Sequence, residues 1–223
     1  MKVYLLTLFP EIFQGILTQS IAKRAQDKKL LKVKIINIRD FAQGPHKTVD
    51  DTPYGGGKGM VMKVDVLYRA LSSIKPKPFT VLLSASGEKY NQQTAKEFSK
   101  HKSIALICGH YEGVDERIER YTDKVISTGD YILTGGEIPA MVIIDSITRL
   151  IPGVIQKDSL IEESFSEPST MLEYPQYTRP ENFKDQKVPS ILLSGNHLKI
   201  KKWREEQSLK RTKKLRPDLL KAN

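Results

Sequence analysis

The chain has 223 residues, 39% hydrophobic and 28% charged, with a net charge of +10. That length supports one substantial domain and a smaller one, and the composition excludes wholesale disorder and fibrous repeats. No run approaches the roughly 20 apolar residues that cross a bilayer, the single cysteine, Cys108, excludes an internal disulfide, and His46, His101, His110 and His197 lack zinc-ligand spacing.

In chain order, an apolar run at 2–8 predicts a strand, followed by a helix that Pro10 opens, with Ile12, Phe13, Ile16, Leu17 and Ile21 as its buried stripe. Pro10 and Glu11 interrupt the apolar start and no small-residue cleavage pattern follows, so no signal peptide and a cytoplasmic setting are expected. Further strands are predicted at 33–38, 81–85 and 104–108, separated by helical patterns at 65–74 and 91–100. Strand, helix, strand repetition predicts an α/β fold, a mostly parallel sheet covered on both faces, with ligands at the carboxyl ends of its strands. From Gly109 onward, glycine turns at Gly109, Gly113, Gly129 and Gly135-Gly136 follow apolar strands closely. A helix over 138–151 then places Met141, Ile144, Ile147 and Ile151 on one face, and Pro152-Gly153 ends it.

Residues 152–175 show little periodicity and read as a mobile linker. Beyond them lie 174–179, a short apolar run at 191–193 and a basic helix over about 197–215. Between 195 and 223, ten lysines and arginines stand against three acids, so this stretch carries +7 of the net +10. Such a field attracts polyanions by counterion release, although a charge run taken alone is more often a solvated helix face.

Three stretches have the composition of a site. Around Tyr54, Gly55, Gly56, Gly57 and Gly59 the chain fits neither common phosphate-loop template and reads either as a surface loop or as backbone passing over a flat ligand. Leu82, Leu83, Ser84, Ala85, Ser86 and Gly87, like the run from Cys108 to Gly113, set small residues after a strand, where main-chain groups can bind the edge of an adenine or amino acid. Cys108 reads as an inert core thiol and His110 as ambiguous. The third stretch runs from Ser127 to Pro139.

Together LFPEIF, NIRDFA, DDTPYGGGKGMVM, CGHYEGVDERI, STGDYILTGGEIPAM, PGV, EYPQYTRP, VPSILLSGNH and WREEQSLKRT give the chain an end-to-end resemblance to the bacterial tRNA (guanine-37-N1)-methyltransferases, the TrmD family of the SPOUT superfamily. The resemblance implies a SPOUT-type parallel sheet with a deep trefoil knot holding S-adenosyl-L-methionine in residues 1–158. A flexible linker at 159–173 and a small, mostly helical, basic tRNA-binding domain at 174–223 would follow. It implies a cofactor site of Leu82, Leu83, Ser84, Ala85, Ser86, Gly87, Gly109, Tyr111, Glu112, Thr128, Gly129, Asp130, Tyr131, Ile132, Leu133, Gly135, Gly136 and Pro139. The flipped guanine would meet Tyr54, Gly55, Gly56, Gly57 and Gly59, and Lys210, Arg211, Lys213 and Lys214 would grip the tRNA backbone.

The resemblance also places a catalytic arginine at Arg149 and the catalytic carboxylate at Glu163, where the family carries aspartate. Glu162 is a competing base. A homodimer and a magnesium requirement are implied as well, with no ion site identified. Two rival readings stand beside this one: methylation at another RNA position by a related enzyme, and RNA binding without catalysis.

Overall fold

The computed structural model describes residues 1–156, 160, 162–166 and 170–220, and the chain divides into two compact units, Met1–Ile155 and Gln156–Asn223. The expected domain boundary at 158/159, linker positions 159, 161 and 167–169, and the tail residue Lys221 lie outside the described residues.

The first unit contains β1 (Lys2–Thr7), a 3₁₀ turn (Pro10–Phe13), α1 (Gln14–Thr18), α2 (Ser20–Asp27) and β2 (Lys32–Asn37). After these come the short β3 (Asp50–Asp51) and β4 (Val61–Met62), then α3 (Val64–Ser72), β5 (Phe79–Lys89) and α4 (Gln92–Ser99). Last are β6 (Ser103–Cys108), β7 (Lys124–Ser127) and α5 (Glu137–Leu150). Five strands form one parallel sheet in the order β2-β1-β6-β5-β7. The fold is therefore α/β with the parallel sheet that strand and helix alternation demands.

The pleat sends alternate residues to opposite faces. Val3, Leu5, Ile104, Leu106, Val81 and Leu83 pack with Phe13, Phe98 and the α5 residues Ile143, Ile144 and Ile147. On the other face, Leu6, Ile36, Leu82, Ala105 and Ile107 pack with Val66, Leu67 and Ala70 of α3. Two apolar layers explain why the strands read as near-continuous apolar runs. α4 starts where Asn91 turns its side-chain oxygen to the Thr94 N–H at 3.0 Å, satisfying one orphan donor of the first turn.

Three features depart from the expected elements. The helix opened by Pro10 is broken into the 3₁₀ turn, α1 and α2, because Ser20 takes a left-handed φ of 51°. Its expected stripe is interrupted accordingly: Phe13 is buried and Ile12 is exposed, while α2 buries Ala22 and Ala25. β5 continues past Ala85, with a register shift against β7 between Leu83 and Glu88, so Ser86 and Gly87 lie within a distorted strand and not in a turn after it. β7 was not among the expected strands, since four residues carry too little periodicity to be read.

In the second unit β8 (Asn182–Phe183) and β9 (Gln186–Lys187) form a hairpin, followed by α6 (Ser190–Leu193) and α7 (His197–Leu215). Lys184 and Asp185 both have positive φ, as the tightest hairpin turn requires. Asn196 caps α7 by accepting from the Lys199 N–H at 3.1 Å. Thr212 is buried and accepts from the Leu172 N–H at 3.0 Å, while Ser208 donates to the Leu172 carbonyl, so one residue of the preceding stretch is strapped to α7 by both its main-chain groups. Among the described residues no helix is long and apolar enough to cross a membrane.

Leu106 lies wholly buried in the central strand. Leu106→Ala should cost about 2–5 kcal/mol of stability through lost transfer energy and a residual cavity, read as a lower midpoint in urea unfolding.

Candidate functional site

A cleft of about 220 Å³ opens at the carboxyl ends of β5, β6 and β7. Its walls come from Leu83, Ser84 and Ala85 of β5, from residues 109–114 after β6, from residues 126–129 at the end of β7, and from residues 131–136 and Pro139 leading into α5. The segment before α5 returns onto the end of β6: the Gly136 N–H donates to the Gly109 carbonyl at 2.8 Å, and His110 and Gly135 form an antiparallel bridge. A Cβ at Gly136 would stand 2.6 Å from the Cys108 Cα, so backbone lies directly on backbone and only glycine fits.

Tyr111 holds a left-handed φ of 61°, uncommon for a non-glycine residue. The next residue ties the glycine loop to the cleft. The Glu112 N–H donates to the Met60 carbonyl at 3.1 Å, and the Met62 N–H donates to the Gly113 carbonyl at 3.0 Å. Gly59, at φ +83°, leaves the room that the Glu112 side chain fills, since a Cβ there would lie 2.4 Å from Glu112 Cγ. Gly55, Gly56 and Gly57 also have positive φ, and Tyr54 is fully exposed at the tip.

Behind the cleft wall, Glu137 is buried and accepts from the Thr7 hydroxyl at 2.8 Å. His110 stands beside it, with Nδ1 3.8 Å from Glu137 Oε2, and Nδ1 is buried without a hydrogen-bond partner. Cys108 is wholly buried beneath both; burial first, and the Glu137 charge second, push its thiol pKa well above the usual range. It is therefore not a nucleophile. Among the described residues no group of His, Cys, Asp or Glu could hold a metal ion.

The family model for tRNA (Guanine-1)-methyltransferase TrmD matches residues 1–222. The chain belongs to this family. A tRNA (guanine-N(1)-)-methyltransferase of Dictyoglomus turgidum is 54% identical over 99% of this chain and 90% of its own length. Enzymes of the same name from Caldicellulosiruptor saccharolyticus and Geobacillus kaustophilus are 56% and 53% identical, over 97% and 99% of the chain and 89% and 91% of their own lengths.

Within this TrmD-family chain the cleft gathers Leu83, Ser84, Ala85, Gly109, Tyr111, Glu112, Thr128, Gly129, Tyr131, Ile132, Leu133, Gly135, Gly136 and Pro139 from the cofactor residues expected by resemblance. Leu82 is buried in the α3 layer, Ser86 and Gly87 lie further along β5 beside Lys124 and Val125, and Asp130 pairs with Lys89 at the surface. His110, Gly113, Ser127 and Thr134, from the stretches read as site-like but not named as cofactor residues, also line the cleft, as do Val114 and Ile126 just outside those stretches. For Val114 and Ile126, position one residue beyond those stretches is the signal that could find them.

Arg149 sits in the last turn of α5. Glu163 is half-buried in the second unit, and neighbouring Glu162 accepts from the Tyr174 hydroxyl at 2.7 Å and lies 3.4 Å from Arg204 Nη1. Burial and this Glu162 bond raise the Tyr174 pKa. Lys210, Arg211, Lys213 and Lys214 are exposed along the final turns of α7.

Gly136→Ala should push the pre-α5 segment off Cys108 and lower both thermal stability and occupancy of the cleft. Thermal melts with and without S-adenosyl-L-methionine check both effects.

Proposed function

We propose that the chain transfers a methyl group from S-adenosyl-L-methionine to N1 of a guanine in tRNA, and that this guanine is number 37, 3′ of the anticodon. The observation that carries the reading is the glycine-walled cleft at the strand ends in a chain of this family. Its lining suits the donor: main-chain groups at Gly109, Gly129 and Gly135 can meet the polar edges of adenine and amino acid, and Leu83, Ile126, Leu133 and Pro139 offer apolar surface to the ring.

Bound there, S-adenosylmethionine supplies an electrophilic methyl on a positively charged sulfur. The protein must do the rest. Guanine N1 carries a proton, so the ring becomes a nucleophile only as a base removes it, and charge then builds on O6. In this reading Glu163 accepts the N1 proton and Arg149 donates to O6. Glutamate is one methylene longer than the family's aspartate, and the backbone carrying Glu163 would set its oxygens back by that length. Glu162, which accepts from the Tyr174 hydroxyl at 2.7 Å and lies 3.4 Å from Arg204 Nη1, is the competing base. The Gly55–Gly59 loop, tied to the cleft through Glu112, would lie over the extracted base. Extraction costs least where the base is unpaired, as in an anticodon loop.

Further parts of the reading rest on local features. A trefoil knot around the donor is favoured by the passage of Gly135 and Gly136 across the end of β6. A homodimer is favoured by the apolar residues Phe9, Ile12, Ile138 and Val142, all more than 40% exposed on the first unit. The exposed bases of α7 would hold tRNA phosphates, in a protein working in the cytoplasm, and a magnesium ion would find no protein site among the described residues.

Glu163→Ala should cut turnover by roughly 10² to 10⁴ with donor affinity retained, measured by transfer of labelled methyl to unmodified tRNA and by calorimetry. Equal turnover moves the base elsewhere, donor binding without any turnover in the parent supports a non-catalytic RNA binder, and methylation of a transcript lacking guanine 37 supports a different target position. Neutralising Lys210, Arg211, Lys213 and Lys214 should weaken tRNA binding and flatten its dependence on salt; an unchanged slope removes α7 from the interface.

A further inference from the structure

Among the described residues Glu137 is the only charged side chain in the buried interior, 3% exposed. The mechanism above gives it no task. A carboxylate withdrawn from water is costly unless its oxygens find donors. Oε1 has one: the Phe9 N–H donates to Thr7 Oγ1 at 2.9 Å, and the Thr7 hydroxyl donates to Oε1 at 2.8 Å. The start of α5 adds the favourable end of a helix dipole. Oε2 faces His110 Nδ1 across 3.8 Å, and Nδ1 is itself buried and unpartnered.

The two atoms need each other and fall short by less than about 1 Å of hydrogen-bond distance. The surroundings direct how that gap can close. The His110 ring lies against Phe9, 4.7 Å between centroids, with the Tyr111 ring edge-on at 5.1 Å, so two aromatic rings confine its path. Gly135 keeps the path open, since a Cβ there would stand 2.4 Å from Glu137 Oε2 and 2.5 Å from His110 Nδ1. Thr7 anchors the acceptor, leaving His110 as the moving partner. His110 lines the cleft and bridges to Gly135, whereas Glu137 lies behind that wall. Hydrogen bonds of this kind often tighten only in the occupied site.

We propose that His110 and Glu137 are positioning residues for the methyl donor: filling the cleft brings His110 Nδ1–H onto Glu137 Oε2, and this bond locks the His110–Gly135 bridge that walls the site. The inference rests on the donor-binding reading above. Neither residue touches the reacting atoms; each acts through the backbone of the wall.

The test compares the full-length parent with His110→Ala, His110→Asn and Glu137→Gln, using calorimetric titration with S-adenosylmethionine, melts of the donor-free protein and steady-state kinetics. His110→Ala should weaken donor binding about tenfold, in the range of a hydrogen bond to a charged group, and raise the donor KM by more than it lowers kcat. His110→Ala also loses the ring contacts with Phe9 and Tyr111, so affinities are compared at a temperature where the melts show every variant folded. His110→Asn, whose amide reaches the place of Nδ1, should restore most of the affinity, and adding Glu137→Gln to His110→Ala should cost little more. Unchanged affinity in His110→Ala, or independent additive losses in the double variant, would each overturn the proposal. A parent that binds no donor removes the functional reading and this inference together; a parent that binds and methylates beside an unaffected His110→Ala removes the inference alone.

Discussion

At the carboxyl end of the central strand two stretches of backbone touch without side chains between them. Gly136 donates to the Gly109 carbonyl at 2.8 Å, and its α-carbon lies where any Cβ would press on Cys108. This contact fixes the start of α5 against β6, and with it the wall from Gly135 to Pro139. A bulkier residue at Gly136 would separate the segments. The cleft is therefore a consequence of close main-chain packing.

That contact is held by the two apolar layers around it. α5 lays Ile143, Ile144 and Ile147 on the sheet, while α3 packs the opposite face, so the strand ends cannot shift independently. Onto this rigid base the chain adds more adaptable parts. The glycine loop at Gly55–Gly59 reaches the cleft through the main-chain bonds of Met60 and Met62, and α7 carries much of the positive charge in the second unit. In the proposed reaction, rigid main chain holds the donor, charged side chains handle the proton and the developing oxyanion, and exposed lysines and arginines handle phosphates.

The buried Glu137 is unusual in this scheme. Its first oxygen is satisfied from β1 and its second points to the cleft wall. A buried carboxyl group beside the cleft fits a role in fixing geometry better than a role in stability, since a well-packed apolar residue would serve stability as well.

The chain's own order of residues was enough for the parallel α/β sheet, for the glycine positions around the cleft and for the basic character of the tail, because strand alternation, helix periodicity and charge runs are short-range patterns. The resemblance of its motifs was enough for the family. Tertiary structure alone decided that the Pro10 helix breaks at Ser20, that β5 runs on through Gly87, that Leu82 faces the α3 layer, and that Glu112 fills the space left by Gly59. It alone brought Thr7 to Glu137 across 130 positions of chain. No local periodicity encodes a contact of that separation; it exists only once the sheet has placed β1 beside β6 and the segment before α5 has folded back across their ends.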